Sequence, residues 1–133
     1  MIISIKSSKK TDLIDITADV EKIISDSKIR EGIIIVFIPH TTAGVIINEN
    51  ADPSVKEDIL MMLNKIVPED EQYRHIEGNS AAHIKSTLVG SSELIAIKDG
   101  HVVLGTWQGI FFCEFDGPRL RKVHVNILEG KII

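Results

Sequence analysis

Six consecutive apolar residues, Ile33-Ile34-Ile35-Val36-Phe37-Ile38, lie between Gly32 and Pro39. All but Phe37 are β-branched, which favours a strand over a helix. The run is far short of the roughly 20 apolar residues that span a membrane. It is expected to be a central strand buried on both faces, ended by Pro39. The rest of the chain must supply its neighbours and its cover.

Ile3 and Ile5, then Leu13, Ile14 and Ile16, flank a polar stretch and read as two strands joined by a turn. Thr17 is a candidate cap for a helix reaching about Lys28, with Val20, Ile23 and Ile24 at helical spacing. Val45-Ile46-Ile47 restarts a strand. Asp52-Pro53 is a strong helix start, and that helix runs to about Val67. Val55, Ile59, Met62, Leu63 and Ile66 form its expected buried face. A short helix then ends near Gly90, and Leu94 to Ile97 is a strand. Asp99-Gly100 signals a hairpin, and Val102-Val103-Leu104 returns from it. Ile110 to Phe115 is the next strand, followed by a turn at Asp116-Gly117-Pro118. Residues 119–127 alternate, with Leu120, Val123, Val125 and Ile127 assigned to one face and Arg119 and Arg121 to the other. Most connections are hairpin-length. The expected class is therefore α+β, with largely antiparallel sheets, about eight strands and three helices, in one domain over 1–133.

At 133 residues the chain can bury a core without staples. Its formal charge of −4 and pI near 5.7 argue against a nucleic-acid binder working through a general basic surface. The N-terminal residues lack the apolar stretch of a signal peptide. Cys113 is the only cysteine, which fits a cytoplasmic protein without an intrachain disulfide. No membrane partner is expected.

The densest chemistry lies in Tyr73-Arg74-His75-Ile76-Glu77-Gly78-Asn79-Ser80-Ala81-Ala82-His83-Ile84-Lys85-Ser86. Two imidazoles, a carboxylate, a carboxamide and an ammonium share one segment, which a packed core does not need. Asn79 or Ser80 would cap the short helix, and His83 would sit in its first turn. The positive helix end there favours the neutral imidazole, which binds metal or accepts a proton. The alternative is a pair of surface histidines.

Three further groups are candidates. His40-Thr41-Thr42-Ala43-Gly44, with Glu49 beyond it, could cradle an anion on backbone N–H groups and threonine hydroxyls; otherwise it is a polar turn. Gly105-Thr106-Trp107-Gln108-Gly109 suggests close backbone approach by a ligand. Thr106 and Gln108 are its candidate contacts, and Trp107 reads as core. Arg119 and Arg121, with Lys85, could grip phosphate. The competing reading is a solvated strand face paired with Glu114 or Asp116. His101 and His124 read as incidental, and Cys113 as inert.

Taken in order, several of these motifs resemble the YjbQ-like family. They are His-Thr-Thr-Ala-Gly at 40–44, Asn48-Glu49, Asp52-Pro53, and the segment from His75 to His83 with Glu77-Gly78-Asn79. Leu104-Gly105-Thr106-Trp107-Gln108 and Asp116-Gly117-Pro118-Arg119 follow. The resemblance implies a compact α+β domain, often trimeric, with a polar pocket that includes His40, Glu49, Asn79 and His83. It also implies the label of a secondary thiamine-phosphate synthase. That reaction joins a pyrimidine pyrophosphate to a thiazole phosphate.

The chemistry fits this label unevenly. Arg119, Arg121 and Lys85 could hold departing pyrophosphate. A histidine cluster suits zinc, whereas pyrophosphate chemistry prefers magnesium on carboxylates. The dedicated synthase is a (β/α)₈ barrel, a fold of roughly 200 residues or more.

The expected protein is thus a small-molecule enzyme with a histidine-rich metal or phosphate pocket, acting on a phosphorylated ligand. His40, Glu49, Asn79, His83 and Lys85 are its candidate catalytic groups. Thr41, Thr42, Thr106, Gln108, Arg119 and Arg121 are its candidate binding groups. His40, His75 and His83 are the candidate ligands of a divalent zinc or magnesium ion. A metal-dependent hydrolase of a phosphorylated molecule, with Glu49 or Glu77 as general base, is one alternative. A non-catalytic ligand-binding trimer is the other.

Overall fold

A computed structural model describes residues 1–133. The elements run β1 (Ile2–Lys6), β2 (Asp12–Asp15), α1 (Thr17–Ser27), β3 (Gly32–Phe37), β4 (Ala43–Glu49), α2 (Pro53–Ile66) and α3 (Ser80–Val89). They continue as β5 (Ser92–Lys98), β6 (His101–Val102), β7 (Gln108–Glu114) and β8 (Leu120–Glu129). The expected α+β class, antiparallel pairing and three helices are all present.

Two antiparallel sheets pack face to face. The larger has the order β1-β8-β3-β5-β6, and the smaller β2-β7-β4. Side chains alternate along each strand, so each sheet sends every second residue into the space between them. Ile3, Ile5, Ile34, Val36, Ile95, Ile97, Val123 and Val125 come from the large sheet and meet Val45, Ile110 and Phe112 from the small one. Val20 and Ile24 of α1 complete this core. Helices α2 and α3 cover the other face of the small sheet, where Leu13, Phe111, Cys113 and Phe115 meet Ala82, Ile59, Leu60 and Leu63.

This layering corrects several expectations. The strand buried on both faces is β7, in which every residue from Gly109 to Glu114 is buried. β3 lies in the middle of its sheet but is buried on one face only. Its pattern looked continuous because the uncovered face, with Ile33, Ile35 and Phe37, is also apolar. β1 and β2 do not form a hairpin, because each joins a different sheet. In β8, Arg121 shares the inner face with Val123 and Val125, while Leu120 points outward at 80% exposure. The sequence reading was one residue out of phase at that end, which moves a side chain to the opposite face.

Helix ends also differ. Thr17 is the first residue of α1 and not its cap. Asp15 Oδ1 accepts from Thr17 N at 2.9 Å and from Thr17 Oγ1 at 2.6 Å. Thr17 Oγ1 accepts in turn from Ile110 N at 2.9 Å, tying α1 to β7. Asp52 caps α2 as expected, through Ser54 N at 2.9 Å. That helix lies on the surface, with Ile59, Leu60 and Leu63 half-buried and Met62 and Ile66 exposed. α3 lies flush on β4 because Ala81 and Ala82 face the sheet and Gly44 faces Val89. A Cβ on Gly44 would come within 2.5 Å of Val89 Cγ2 and 2.6 Å of Gly90 O. Gly44 therefore serves helix–sheet packing and not an anion-cradling turn.

Candidate functional site

The C-terminal ends of β3 and β7 and the N-terminal ends of β4 and β8 meet at one end of the sandwich, beside the start of α3. A cleft of about 420 Å³ opens there. The β3–β4 loop contributes Pro39, His40, Thr41 and Thr42; the approach to α3 contributes His75, Glu77 and Asn79. His83, Arg119 and Arg121 complete it, and Pro39 is its only apolar side chain. Nine of the sequence candidates therefore converge: His40, Thr41, Thr42, His75, Glu77, Asn79, His83, Arg119 and Arg121.

The floor is an ion pair between the sheets. Arg121 is 5% exposed and Glu114, across from it on β7, is fully buried. Arg121 donates from Nε to Glu114 Oε1 at 2.9 Å and from Nη2 to Glu114 Oε2 at 2.5 Å. Arg121 Nη2 also donates to Thr42 Oγ1 at 2.8 Å. Glu114 further accepts from Ser7 Oγ at 2.5 Å and from Asp116 N at 3.1 Å. Burial opposes ionisation of Glu114, but the hydrogen bonds from Arg121, Ser7 and Asp116 outweigh it and hold the carboxyl below its usual range. Arg121 is thus clamped on one edge. Its Nη1 makes no hydrogen bond within the chain and is not sealed from solvent, and Arg121 is one of the residues that line the cleft.

Arg119 is held differently. Its Nε donates to Asp116 O at 2.8 Å and its Nη2 to Asp116 Oδ2 at 2.9 Å, and it stays exposed. Asp116 Oδ2 also accepts from Asn79 Nδ2 at 2.9 Å, linking the start of α3 to the β7–β8 turn. Burial works against ionisation of Asp116, yet Asn79 and Arg119 keep its pKa below the usual value. Asn79 precedes α3 but does not cap it with its side chain, and its buried Oδ1 has no partner. The carboxylate of Asp116 accepts only, so the amide orientation is settled by that bond.

The histidines play separate parts. The rings of His75 and His83 meet edge to face, with centroids 5.4 Å apart. His40 Nε2 accepts from Lys122 N at 2.9 Å, just past the point where β3 stops pairing with β8. A side chain here extends the sheet ladder. Burial, and then the charge of Arg121, lower the His40 pKa. The lone pair given to Lys122 N–H also requires the neutral ring at that nitrogen.

These commitments bear on the candidate metal ligands. No three His, Cys, Asp or Glu side chains gather closely enough to hold an ion. His40 has its Nε2 occupied, and His75 Nε2 is 4.0 Å from Glu77, too long for a hydrogen bond. The expected ligand set of His40, His75 and His83 therefore does not form within the chain.

Other candidates fall outside the cleft. Glu49 pairs with Gln108 at the far end of β4, about 20 Å along the strand from Ala43 at the usual rise. Thr106 and Gln108 share that end, where Gln108 Oε1 accepts from Gly105 N at 2.8 Å. Trp107, expected in the core, is 63% exposed there. Lys85 is 1% exposed and donates to Asn64 Oδ1 at 2.6 Å, so it joins α3 to α2. Burial lowers its pKa. Cys113 is buried and its pKa is raised by burial, as an inert thiol requires.

Glu114 was missed as a part of the site. A lone carboxylate within the apolar run Ile110 to Phe115 was the available signal, since a buried charge demands a partner. The suggested pairing of Arg119 and Arg121 with Asp116 and Glu114 is observed, but the Arg121 pair is buried and not solvated.

The family model described as "UPF0047 protein YjbQ-like" matches residues 1–130. The UPF0047 protein MJ1081 of Methanocaldococcus jannaschii is 56% identical over 127 residues, covering 96% of this chain and 92% of that protein. The UPF0047 protein YugU of Bacillus subtilis is 48% identical over 127 residues, covering 95% and 96% respectively. A crystal structure of an uncharacterized conserved YjbQ/UPF0047 protein from Clostridium acetobutylicum superposes with a TM-score of 0.94 at 54% identity, covering 96% of this chain and 99% of that one. A YbjQ-like protein of unknown function from Sulfolobus solfataricus gives a TM-score of 0.94 at 34% identity, with coverage of 98% and 96%.

Proposed function

This chain belongs to the YjbQ-like UPF0047 family, and from that premise we propose that its cleft binds the phosphate of a small molecule and acts on it as an enzyme. One observation carries the reading. A rigidly clamped arginine with an unpaired, solvent-accessible Nη1 lines a cleft whose side chains are polar apart from Pro39. The N–H groups left on Nη1 can donate charge-assisted hydrogen bonds to a phosphate oxygen, and a preset guanidinium loses little freedom on binding. Arg119 adds a second charge at the rim. His75 and His83 stand beside the bound anion, where an imidazole can give a proton to a leaving oxygen or take one from an attacking group.

Thiamine phosphate synthesis is a second reading, favoured by the two arginines, which suit substrates that are both phosphorylated. Its two aromatic rings find no apolar side chain in the cleft wall other than Pro39. Zinc has no step in the present reading, because no three His, Cys, Asp or Glu side chains gather within the chain. Release of phosphate without a second substrate would point to a hydrolase. Tight binding without turnover would make the protein a ligand carrier.

Calorimetric titration with inorganic phosphate is the direct test. The protein is expected to bind, and His83→Ala to weaken binding about tenfold, as loss of one hydrogen bond to a charged group implies. The melting temperature should hardly change, since alanine suits a helix and His83 is only half-buried. No heat of binding in the wild-type protein would sink the proposal.

The same reading places the protein as a homotrimer in the cytoplasm, where its single buried thiol stays reduced. No helix is long and apolar enough to cross a membrane. The apolar surface that supports assembly is not Ile110 to Phe115, which the chain itself buries. It is the outer face of the large sheet, where Ile2, Phe37, Leu94 and Leu128 are exposed around Ile33 and Ile35 without a covering helix. Light scattering at micromolar concentration is expected to give three times the chain mass; a mass of one chain would refute assembly.

A further inference from the structure

We propose that the ligand of this cleft is a phosphorylated polyol or sugar, and not a phosphorylated aromatic ring. The proposal rests on the phosphate-binding reading and adds the class of the rest of the molecule.

A second depression of about 420 Å³ adjoins the phosphate cleft and has His40, Thr41 and His83 in common with it. Beyond those three residues it is walled by Ser86, Thr87 and Ser91 with the backbone at Gly90, and here no hydrophobic side chain takes part. Apart from the two histidines it holds no ionisable side chain. A molecule anchored by its phosphate at Arg121 would therefore extend past His83 into a neutral surface rich in hydroxyls.

The hydrogen-bonding capacity of that surface is specific. Ser86 Oγ donates to Ala43 O at 2.5 Å and Thr87 Oγ1 donates to His83 O at 2.9 Å. Each hydroxyl has one proton, so these two can now only accept. Thr41 and Ser91 lie on the same surface, and both side chains are exposed to solvent. The matching ligand carries several hydroxyls, which can donate to Ser86 and Thr87 and both donate to and accept from Thr41 and Ser91. An aromatic ring would instead remove these groups from water without replacing their hydrogen bonds. The chain's one tryptophan cannot stack on such a ring, because it lies with Gln108 and Glu49 at the other end of β4.

The test compares three phosphate monoesters by calorimetry on the wild-type protein: methyl phosphate, ribose 5-phosphate and phenyl phosphate. Methyl phosphate reports the anchor alone. Ribose 5-phosphate should bind at least about tenfold tighter, the gain expected from one or two added neutral hydrogen bonds. Phenyl phosphate should gain nothing over methyl phosphate. Thr87→Val and, separately, Ser91→Ala should reduce the advantage of ribose 5-phosphate. Equal affinity for methyl and ribose phosphates, or tighter binding of phenyl phosphate than of ribose 5-phosphate, overturns the polyol proposal and leaves the phosphate anchor standing. Failure of all three esters to bind overturns the phosphate reading itself, and this proposal with it.

Discussion

Glu114→Ala is expected to destabilise the protein by about 3–5 kcal/mol, the usual result of leaving a buried charge without its partner. Arg121 would keep a guanidinium at 5% exposure with only Thr42 to accept from it. Ser7 Oγ and Asp116 N would lose an acceptor in the same step. Replacing both charges together, as Glu114→Leu with Arg121→Met, should restore most of the loss, because well-packed apolar pairs often match a buried ion pair. Denaturant unfolding of the two variants beside the wild type measures both effects. A Glu114→Ala protein within about 1 kcal/mol of wild type, on the ordinary scale of mild substitutions, would refute the account of the pair.

The acid limb provides an independent check. The folded pKa of Glu114 lies below its ordinary value of 4.5. Its ionisation therefore stabilises the fold above that pH and stops doing so as pH falls through the lower folded value. The wild type should lose more stability than the double variant below about pH 4.5.

Loss of the anchor is the second large effect, and it separates structure from function. In the Glu114→Leu, Arg121→Met background the fold is kept while the guanidinium facing the cleft is gone. Affinity for inorganic phosphate should fall roughly 10- to 150-fold, the equivalent of one charged hydrogen bond at about 1.5–3 kcal/mol. Arg119→Met, at the exposed rim, should cost less because solvent screens its charge. Titration of both variants against wild type reads the order directly. Unchanged phosphate affinity in the folded double variant would remove Arg121 from the site.

Much of the cleft was legible because its parts lie where strands and a helix must end. Pro39 stops β3 and so puts His40 to Thr42 into a loop. Gly78 and Asn79 precede a short helix and so place His83 in its first turns. Asp116-Gly117-Pro118 turns the chain and brings Arg119 to the same end. Local rules suffice for these, since turn residues and caps act within a few residues.

The three candidate metal ligands stay apart within one chain for a different reason. Histidine content shows which donors exist, whereas a coordination shell depends on which lone pairs remain free. Only the fold shows His40 Nε2 taken by Lys122 N. Glu49 joined the candidates through the motif at 40–44 and Gln108 through its flanking glycines, but an extended strand carries both to the end opposite the cleft.

The sequence by itself determined the class: eight strands, three helices, antiparallel pairing and a polar segment around His83. Period-2 alternation, Asp-Gly turns and the Asp52-Pro53 cap are local signals, and each names an element without its neighbours. Tertiary structure alone decided that β7 is the doubly covered strand, that β1 and β2 part into different sheets, and that Arg121 turns inward to Glu114. Nothing local distinguishes a solvated arginine from a buried one. Desolvating the charge is tolerable only where another part of the fold delivers a carboxylate to it, here one sheet facing the other.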